Sequence, residues 1–240
     1  MKNIVIHFLI LFITTAAITT AAFAQDQQRT VSGFLLGGVA SPGKSFQRVY
    51  DNKMGGLGLS GNIGFVLNPL GLGRNKTYSP VWLGIDLGWN YLGRDKYKYN
   101  GDPYLKTEFW TGNYGLLVRI DPTVGKRFRP FADGFAGWGR YWANTKLDKT
   151  FAQSLVDDNQ YLAGKYHDDN FTTGLGCGFV FAGKDSDEPS FTFRAMYYLN
   201  GDYKAVLRNT IVVSGNYLQY QVQRVNANML VIQCGISFGD

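Results

Sequence analysis

Two arginines and two aspartates stand where they could do chemistry: Asp86, Arg119, Asp133 and Arg194, accompanied by the amides Asn62, Asn90, Asn113 and Gln233. Each occupies the polar side of a segment in which polar and apolar residues alternate. Two carboxylates held in a confined space can act as general acid and base. The same four charges can instead cancel as a structural plug, or line a narrow gated pore. Arg119 and Asp133 flank one short connection on neighbouring segments, and that spacing predicts an ion pair between them.

The other reactive residues are few. His167 is followed by Asp168 and Asp169, a combination that a hydrolase acting on lipid or peptide could use, although the pattern is not specific. The chain has only two histidines, and the other, His7, falls in a leader, so a histidine-rich metal site is excluded by count. The acidic turn Lys184-Asp185-Ser186-Asp187-Glu188 lacks the ligand spacing of a calcium loop. No G-x-x-x-x-G-K-[ST], G-x-S-x-G or C-x-x-C element occurs. The expectation is therefore no cofactor, no metal and no enzyme, with an enzyme acting on lipid or peptide, or a narrow pore, as the alternatives. Tyr97, Tyr99 and Tyr104 among Lys96, Lys98 and Lys106 could form a sugar-binding or protein-binding loop, or lie on lipid headgroups.

The elements that position these residues show a period of two. Eight strands are expected. They are Val31 to Ala40, Leu57 to Leu67, Val81 to Tyr91, Phe109 to Ile120, Phe131 to Trp142, Phe171 to Phe181, and two long runs, Phe191 to Val213 and Tyr217 to Phe238. In the last, Leu230, Ile232, Cys234, Ile236 and Phe238 share one face opposite Val231, Gln233, Gly235 and Ser237. Such alternation marks strands with one apolar face. Asp133 turns the odd positions of the fifth strand inward and leaves Trp138 and Trp142 outside. Cys177 and Cys234 share the apolar face two strands apart, roughly 9–10 Å, beyond disulfide reach; two free thiols are expected.

Composition and the leader give the compartment. Lys2, the apolar run from Ile4 to Ile13 and Ala22-Phe23-Ala24 read as a secretory signal peptide, residues 1–24, leaving one domain, residues 25–240. No later run is apolar for eighteen residues. Aromatic residues make up 15% of the chain and glycine 30 of 240 positions, while only 18% is charged. The net charge of +6 is scattered through loops and turns, so no nucleic acid is implied. Each apolar face matches the 9–11 residues a tilted strand needs to cross a bilayer, where only a closed barrel satisfies every backbone group. Polar residues inside and apolar residues outside reverse the pattern of a soluble barrel. The expected connections alternate in length: long at 41–56, 93–107, 143–169 and 201–227, shorter at 68–80, 121–129 and 182–189. The longer ones fit outer loops and the shorter ones periplasmic turns.

Three features together carry a family resemblance: the signal peptide, Arg129-Pro130-Phe131-Ala132-Asp133-Gly134 opening the fifth strand, and the terminal Leu230 to Phe238 run. The chain resembles the small eight-stranded outer-membrane barrels of Gram-negative bacteria, the OmpA/OmpX-like, porin-like group. The resemblance implies an all-β, eight-stranded antiparallel transmembrane up-and-down barrel in the outer membrane, with long outer loops. It implies outer-membrane lipid as a partner, and a structural, adhesive or partner-binding role through the outer loops.

The last hairpin invites a sharper expectation. A two-residue turn at Gly215-Asn216 places Val213 opposite Leu218, Ile211 opposite Tyr220, Leu199 opposite Ile232, Tyr197 opposite Cys234 and Phe193 opposite Phe238. Only about ten residues per strand are needed in the membrane. A continuous hairpin protruding some 40 Å is therefore expected, if unbent. Leu207, Ile211, Val213, Leu218, Tyr220 and Val222 form one apolar face there, a candidate docking surface for an envelope protein or a face packed on the protein's own loops.

Overall fold

A computed structural model describes residues 31–47, 49, 57–69, 80–98, 104–122, 127–148, 163–183, 188–207, 210–214 and 217–239. The expected signal peptide, residues 184–187 of the acidic turn, Tyr99 and the Gly215-Asn216 turn lie outside these. Among the described residues the protein is almost entirely β: β1 (Val31–Pro42), a one-turn helix α1 (Lys44–Gln47), β2 (Gly58–Leu67), β3 (Val81–Lys98), β4 (Tyr104–Ile120), β5 (Phe128–Asp148), β6 (Ala163–Phe181), β7 (Ser190–Leu199), β8 (Asp202–Val206), β9 (Val212–Ser214), β10 (Tyr217–Gln219), β11 (Val222–Asn226) and β12 (Met229–Phe238). Eight of these close a barrel in the order β1-β12-β7-β6-β5-β4-β3-β2. Every neighbouring pair is antiparallel, and β1 pairing with β12 joins the two ends of the sheet.

The facing of every barrel strand follows its sequence period. Val31, Leu35 and Val39 on β1, Leu83, Ile85 and Leu87 on β3, Leu116 and Val118 on β4, and Ile232 and Ile236 on β12 are exposed on the outer surface. The alternate positions are buried in the lumen. Trp138 lies outside, 58% exposed, and Trp142 stacks on Trp110 across the outer face with ring centroids 6.2 Å apart. An apolar belt around a polar interior is the arrangement that a bilayer selects. It is the architecture of an eight-stranded outer-membrane barrel.

Two expectations about the outer side are corrected. Residues 93–107 and 143–169 are not simply loops: β3 runs on to Lys98, β4 starts at Tyr104, β5 ends at Asp148 and β6 starts at Ala163. These four strands are 17–21 residues long, against 10–12 for β1, β2, β7 and β12, so the barrel rises on one side as a four-stranded wall. In β3 the wall begins at a bulge where the register shifts between Tyr91 and Gly93. Gly93 takes φ 134°, a conformation open to glycine and strained for residues with a Cβ. The extra residue exchanges inward and outward positions: Leu92 and Asp95 are buried while Arg94 and Lys96 are exposed.

The last hairpin forms but is not one continuous ladder. β8 pairs with β11 and β9 with β10 as two small sheets separate from the barrel. Val213 faces Leu218 as expected, whereas Ile232 faces Ala195 in place of Leu199, and Cys234 faces Phe193 in place of Tyr197. The tip register holds and the base slides by four residues, an even number that leaves the facing of β7 and β12 intact, while β8 and β11 between them slide by three, Val206 facing Val222. The slide is taken up at breaks in the ladder, one of them at Asn200-Gly201, where Gly201 adopts φ 68°. There the buried positions change from even in β7 to odd in β8.

The hairpin's buried side packs on the inner face of the wall. Tyr203, Ala205, Val206, Ile211 and Val225 join Leu92, Leu105, Phe109, Tyr141 and Ala143 in one apolar cluster, with Leu218, Tyr220 and Tyr166 partly buried against it. Leu218 crosses Gly164 so closely that a Cβ there would sit 2.8 Å from its Cδ1. α1 braces the other side, with Ser45 Oγ donating to the Asn226 carbonyl at 2.9 Å.

Candidate functional site

All eight sequence-identified lumen residues, Asn62, Asp86, Asn90, Asn113, Arg119, Asp133, Arg194 and Gln233, are buried, none more than 4% exposed. Period two puts them inside, and barrel closure brings four of them into one chain of charges. Arg119 grips Asp133 with both arms of the fork, Nε to Oδ1 at 2.8 Å and Nη2 to Oδ2 at 3.0 Å. The expected pair across the short connection is present. Asp133 also meets Arg194, whose Nε lies 2.9 Å from its Oδ2. Arg194 then reaches Asp86 through Nη2 at 2.7 Å, and the Tyr198 hydroxyl donates to the same Asp86 oxygen at 3.4 Å.

The strand order gives this chain its meaning. β7, which carries Arg194, and β3, which carries Asp86, are separated by three strands in either direction around the barrel. Arg194 and Asp86 therefore meet across the full width of the lumen, 108 residues apart in sequence. An eight-stranded barrel is just wide enough for its side chains to fill it, and a long arginine suits that span. Two cations and two anions balance and pair in the buried lumen, while Asp86 Oδ1 and Arg194 Nε and Nη1 are left without a hydrogen bond. Phe131 and Phe34 flank the guanidinium of Arg119, 3.8 and 5.3 Å from their ring centres.

The amides extend the network along the barrel. Gln233 Nε2 donates to Ser60 Oγ at 2.8 Å, and Asn90 Nδ2 to Thr111 Oγ1 at 3.2 Å. A second buried pair, Arg129 on Asp121, lies at the β4–β5 connection, with Nε 3.0 Å from Oδ2. Sequence reasoning missed it. The signal was the one that revealed Arg119 and Asp133, an arginine and an aspartate flanking the same connection.

The other candidates are dispersed. His167 is exposed on the outer side of β6. Both neighbouring carboxylates are engaged elsewhere. Asp168 Oδ2 accepts the Lys204 amide at 2.7 Å, and Asp169 holds Arg140 at 2.6 and 2.7 Å. The hydrogen bond from Arg140 holds the Asp169 carboxyl below the usual carboxylate range. Cys177 and Cys234 are free and exposed on the lipid face. No group of three or more His, Cys, Asp or Glu residues able to hold a metal occurs among the described residues. Of the six hairpin residues, Ile211 is buried and Leu207, Leu218 and Tyr220 are partly so; Val222 is exposed, and the Val213 side chain lies outside the described residues.

Comparison with solved structures finds similar chains at low identity. The chain is similar to Neisserial surface protein A (10% identity over 88% of this chain and 97% of that one, TM-score 0.48). It is similar to a major outer membrane protein from Thermus thermophilus (11%, 86% and 98%, 0.47). A third is Ail, the attachment invasion locus protein of Yersinia pestis, in complex with the heparin analogue sucrose octasulfate (11%, 87% and 99%, 0.44). No protein-family model matches the sequence, and no curated protein does.

Proposed function

We propose that this chain is an integral outer-membrane barrel of a Gram-negative bacterium, exported with loss of residues 1–24, whose lumen is plugged and whose work is done at its outer surface. That work is structural, adhesive or partner-binding, and not enzymatic. The observation that carries the plug is the reach of Arg194 across the lumen to Asp86, with Asp133 and Arg119 completing a neutral chain of buried charges. Above it the hairpin covers the wall's inner face with an apolar cluster, a second obstruction for anything hydrated. Both features favour a solid barrel over a pore. They leave the wall's outward face, the loops and the exposed strip around Val222 as the surfaces able to meet a partner.

Single-channel recording in planar bilayers tests the plug. Wild-type protein shown to be inserted should give no conductance steps. Regular steps in wild type would replace the plug with a narrow pore, and their sensitivity to Arg194→Met would place the constriction at this chain of charges.

A further inference from the structure

The last hairpin is built in two parts that are held differently. Its stem, β8 with β11, pairs over five residues of each strand and buries Tyr203, Ala205, Val206 and Val225. Hydrogen bonds from other elements fix the stem: Asp168 Oδ2 accepts the Lys204 amide at 2.7 Å, and Ser45 Oγ donates to the Asn226 carbonyl. Its tip, β9 with β10, pairs over three residues and packs on the apolar cluster through Ile211, Leu218 and Tyr220. Of these Ile211 is buried, while Leu218 and Tyr220 are half-buried. Val212 beside them is 57% exposed.

The joint between the two parts is not a ladder. Val206 faces Val222 at the end of the stem, and Val212 faces Gln219 at the start of the tip. One strand spends residues 207–211 between these pairs and the other only 220–221, so they cannot pair one to one. A side chain stands in. Thr210 Oγ1 donates to the Leu207 carbonyl at 2.7 Å and accepts the Gln221 amide at 3.1 Å, beside one backbone bond from the Leu207 amide to the Gln221 carbonyl. A joint centred on a rotatable hydroxyl can bend without breaking the ladder on either side.

A notch holds the tip down. Gly164 on β6 carries no side chain and Leu218 lies over it, so that a Cβ at Gly164 would meet Leu218 Cδ1 at 2.8 Å and Leu218 Cβ at 3.6 Å. Tyr220 sets its ring edge against Tyr166, centroids 5.6 Å apart, and Tyr166 leans on Tyr141. Segments with few buried apolar side chains open at low free energy while better-packed neighbours stay closed. We propose that β9–β10 is a strap, hinged at Thr210 and Gln221 and latched by Leu218 in the Gly164 notch, which lifts from β6 while the stem stays seated. Lifting uncovers Ile211, Leu218 and Tyr220 on the strap and the Tyr166 ring on the wall. The proposal stands on packing alone, independent of the plugged lumen and of any partner.

Amide hydrogen exchange of the full-length protein in phosphatidylcholine vesicles, read by mass spectrometry, tests it. In wild type, peptides from the tip should exchange at least about tenfold faster than peptides from the stem. Gly164→Cys/Leu218→Cys, made together with Cys177→Ala and Cys234→Ala, places two thiols on Cβ atoms 3.6 Å apart, within disulfide reach. Mild oxidation should close that bridge, slow the tip about tenfold and leave the stem within about twofold. Gly164→Val, which fills the notch, should speed the tip and spare the stem. Tip and stem exchanging together in wild type would make the hairpin one rigid unit and overturn the hinge. A bridge that does not form, or that forms and leaves the tip as fast as before, would overturn the latch. If the cysteine variant does not insert, Gly164→Val decides: an unchanged tip overturns the latch.

Discussion

β4 and β5 pass through two environments, and their lower and upper halves are built on opposite rules. In the lower half the outward positions are apolar, Leu116, Val118, Ala136 and Trp138, while Arg119, Asn113 and Asp133 face in. In the upper half the outward positions become Glu108, Lys106, Arg140 and Lys146, and the inward ones become Phe109, Leu105, Tyr141 and Ala143. Neither strand changes its facing; odd residues point inward throughout both. What changes is the solvent. Below, lipid surrounds the sheet and polar side chains can find one another only in the lumen. Above, water and headgroups surround it, and apolar side chains bury themselves under the hairpin. The crossover lies between Trp138 and Arg140 on β5 and marks the membrane boundary on this wall.

The largest break in this comparison should come from the lower interior. Arg194→Met should destabilise the barrel by about 3–5 kcal/mol, because Asp86 would keep only the Tyr198 hydroxyl at 3.4 Å. Guanidinium unfolding in vesicles measures it. Arg194→Met/Asp86→Asn should recover part of the loss, since the double variant strands no charge at that contact.

A smaller effect sharpens the boundary on the outer face of a single strand. Leu116→Arg, at a site 67% exposed to lipid, should cost about 2–4 kcal/mol. Glu108→Arg, four outward positions higher on β4, should cost less than about 1 kcal/mol. The same unfolding titration reads both, and equal costs would erase the boundary.

The smallest effect is a pH dependence confined to the upper half. The folded-state pKa of Asp169 lies below its unfolded value because Arg140 donates to it. The pair therefore adds stability above the unfolded carboxylate pKa, and loses it as pH falls through the lower folded value. With both side chains over a third exposed, the gain should be less than about 1 kcal/mol. The carboxyl resonance of Asp169 should titrate below an ordinary aspartate in wild type and move up in Arg140→Gln.

The lower half was legible in the sequence and the upper half was not, for one physical reason. Expecting apolar residues outside works as long as lipid is outside. It placed Asp86, Arg119, Asp133 and Arg194 in the lumen and Leu116 on the belt. Once water replaces lipid the same strands read as polar loops, which is how 93–107 and 143–169 came to be expected as connections. The bulge at Gly93 and the break at Asn200-Gly201 add single-residue slips that alternation cannot foresee. The hairpin's apolar face was visible, from Ile211 to Tyr220, but not its covering, because Phe109 and Tyr141 face it only when the wall stands. The contact of Arg194 with Asp86 needed the barrel closed, since opposite strands have no local signature.

A hoop of eight strands held only by its rim hydrogen bonds can be flattened into an ellipse at little cost to any single bond. Side pressure from the bilayer pushes in that direction. Arg194, fixed to β7 and meeting Asp86 on the opposite wall with Asp133 between, acts as a tie rod across the hoop. Squeezing the ring along the rod crowds the guanidinium, and stretching it opens a contact between buried charges. The cross-section is held round from within.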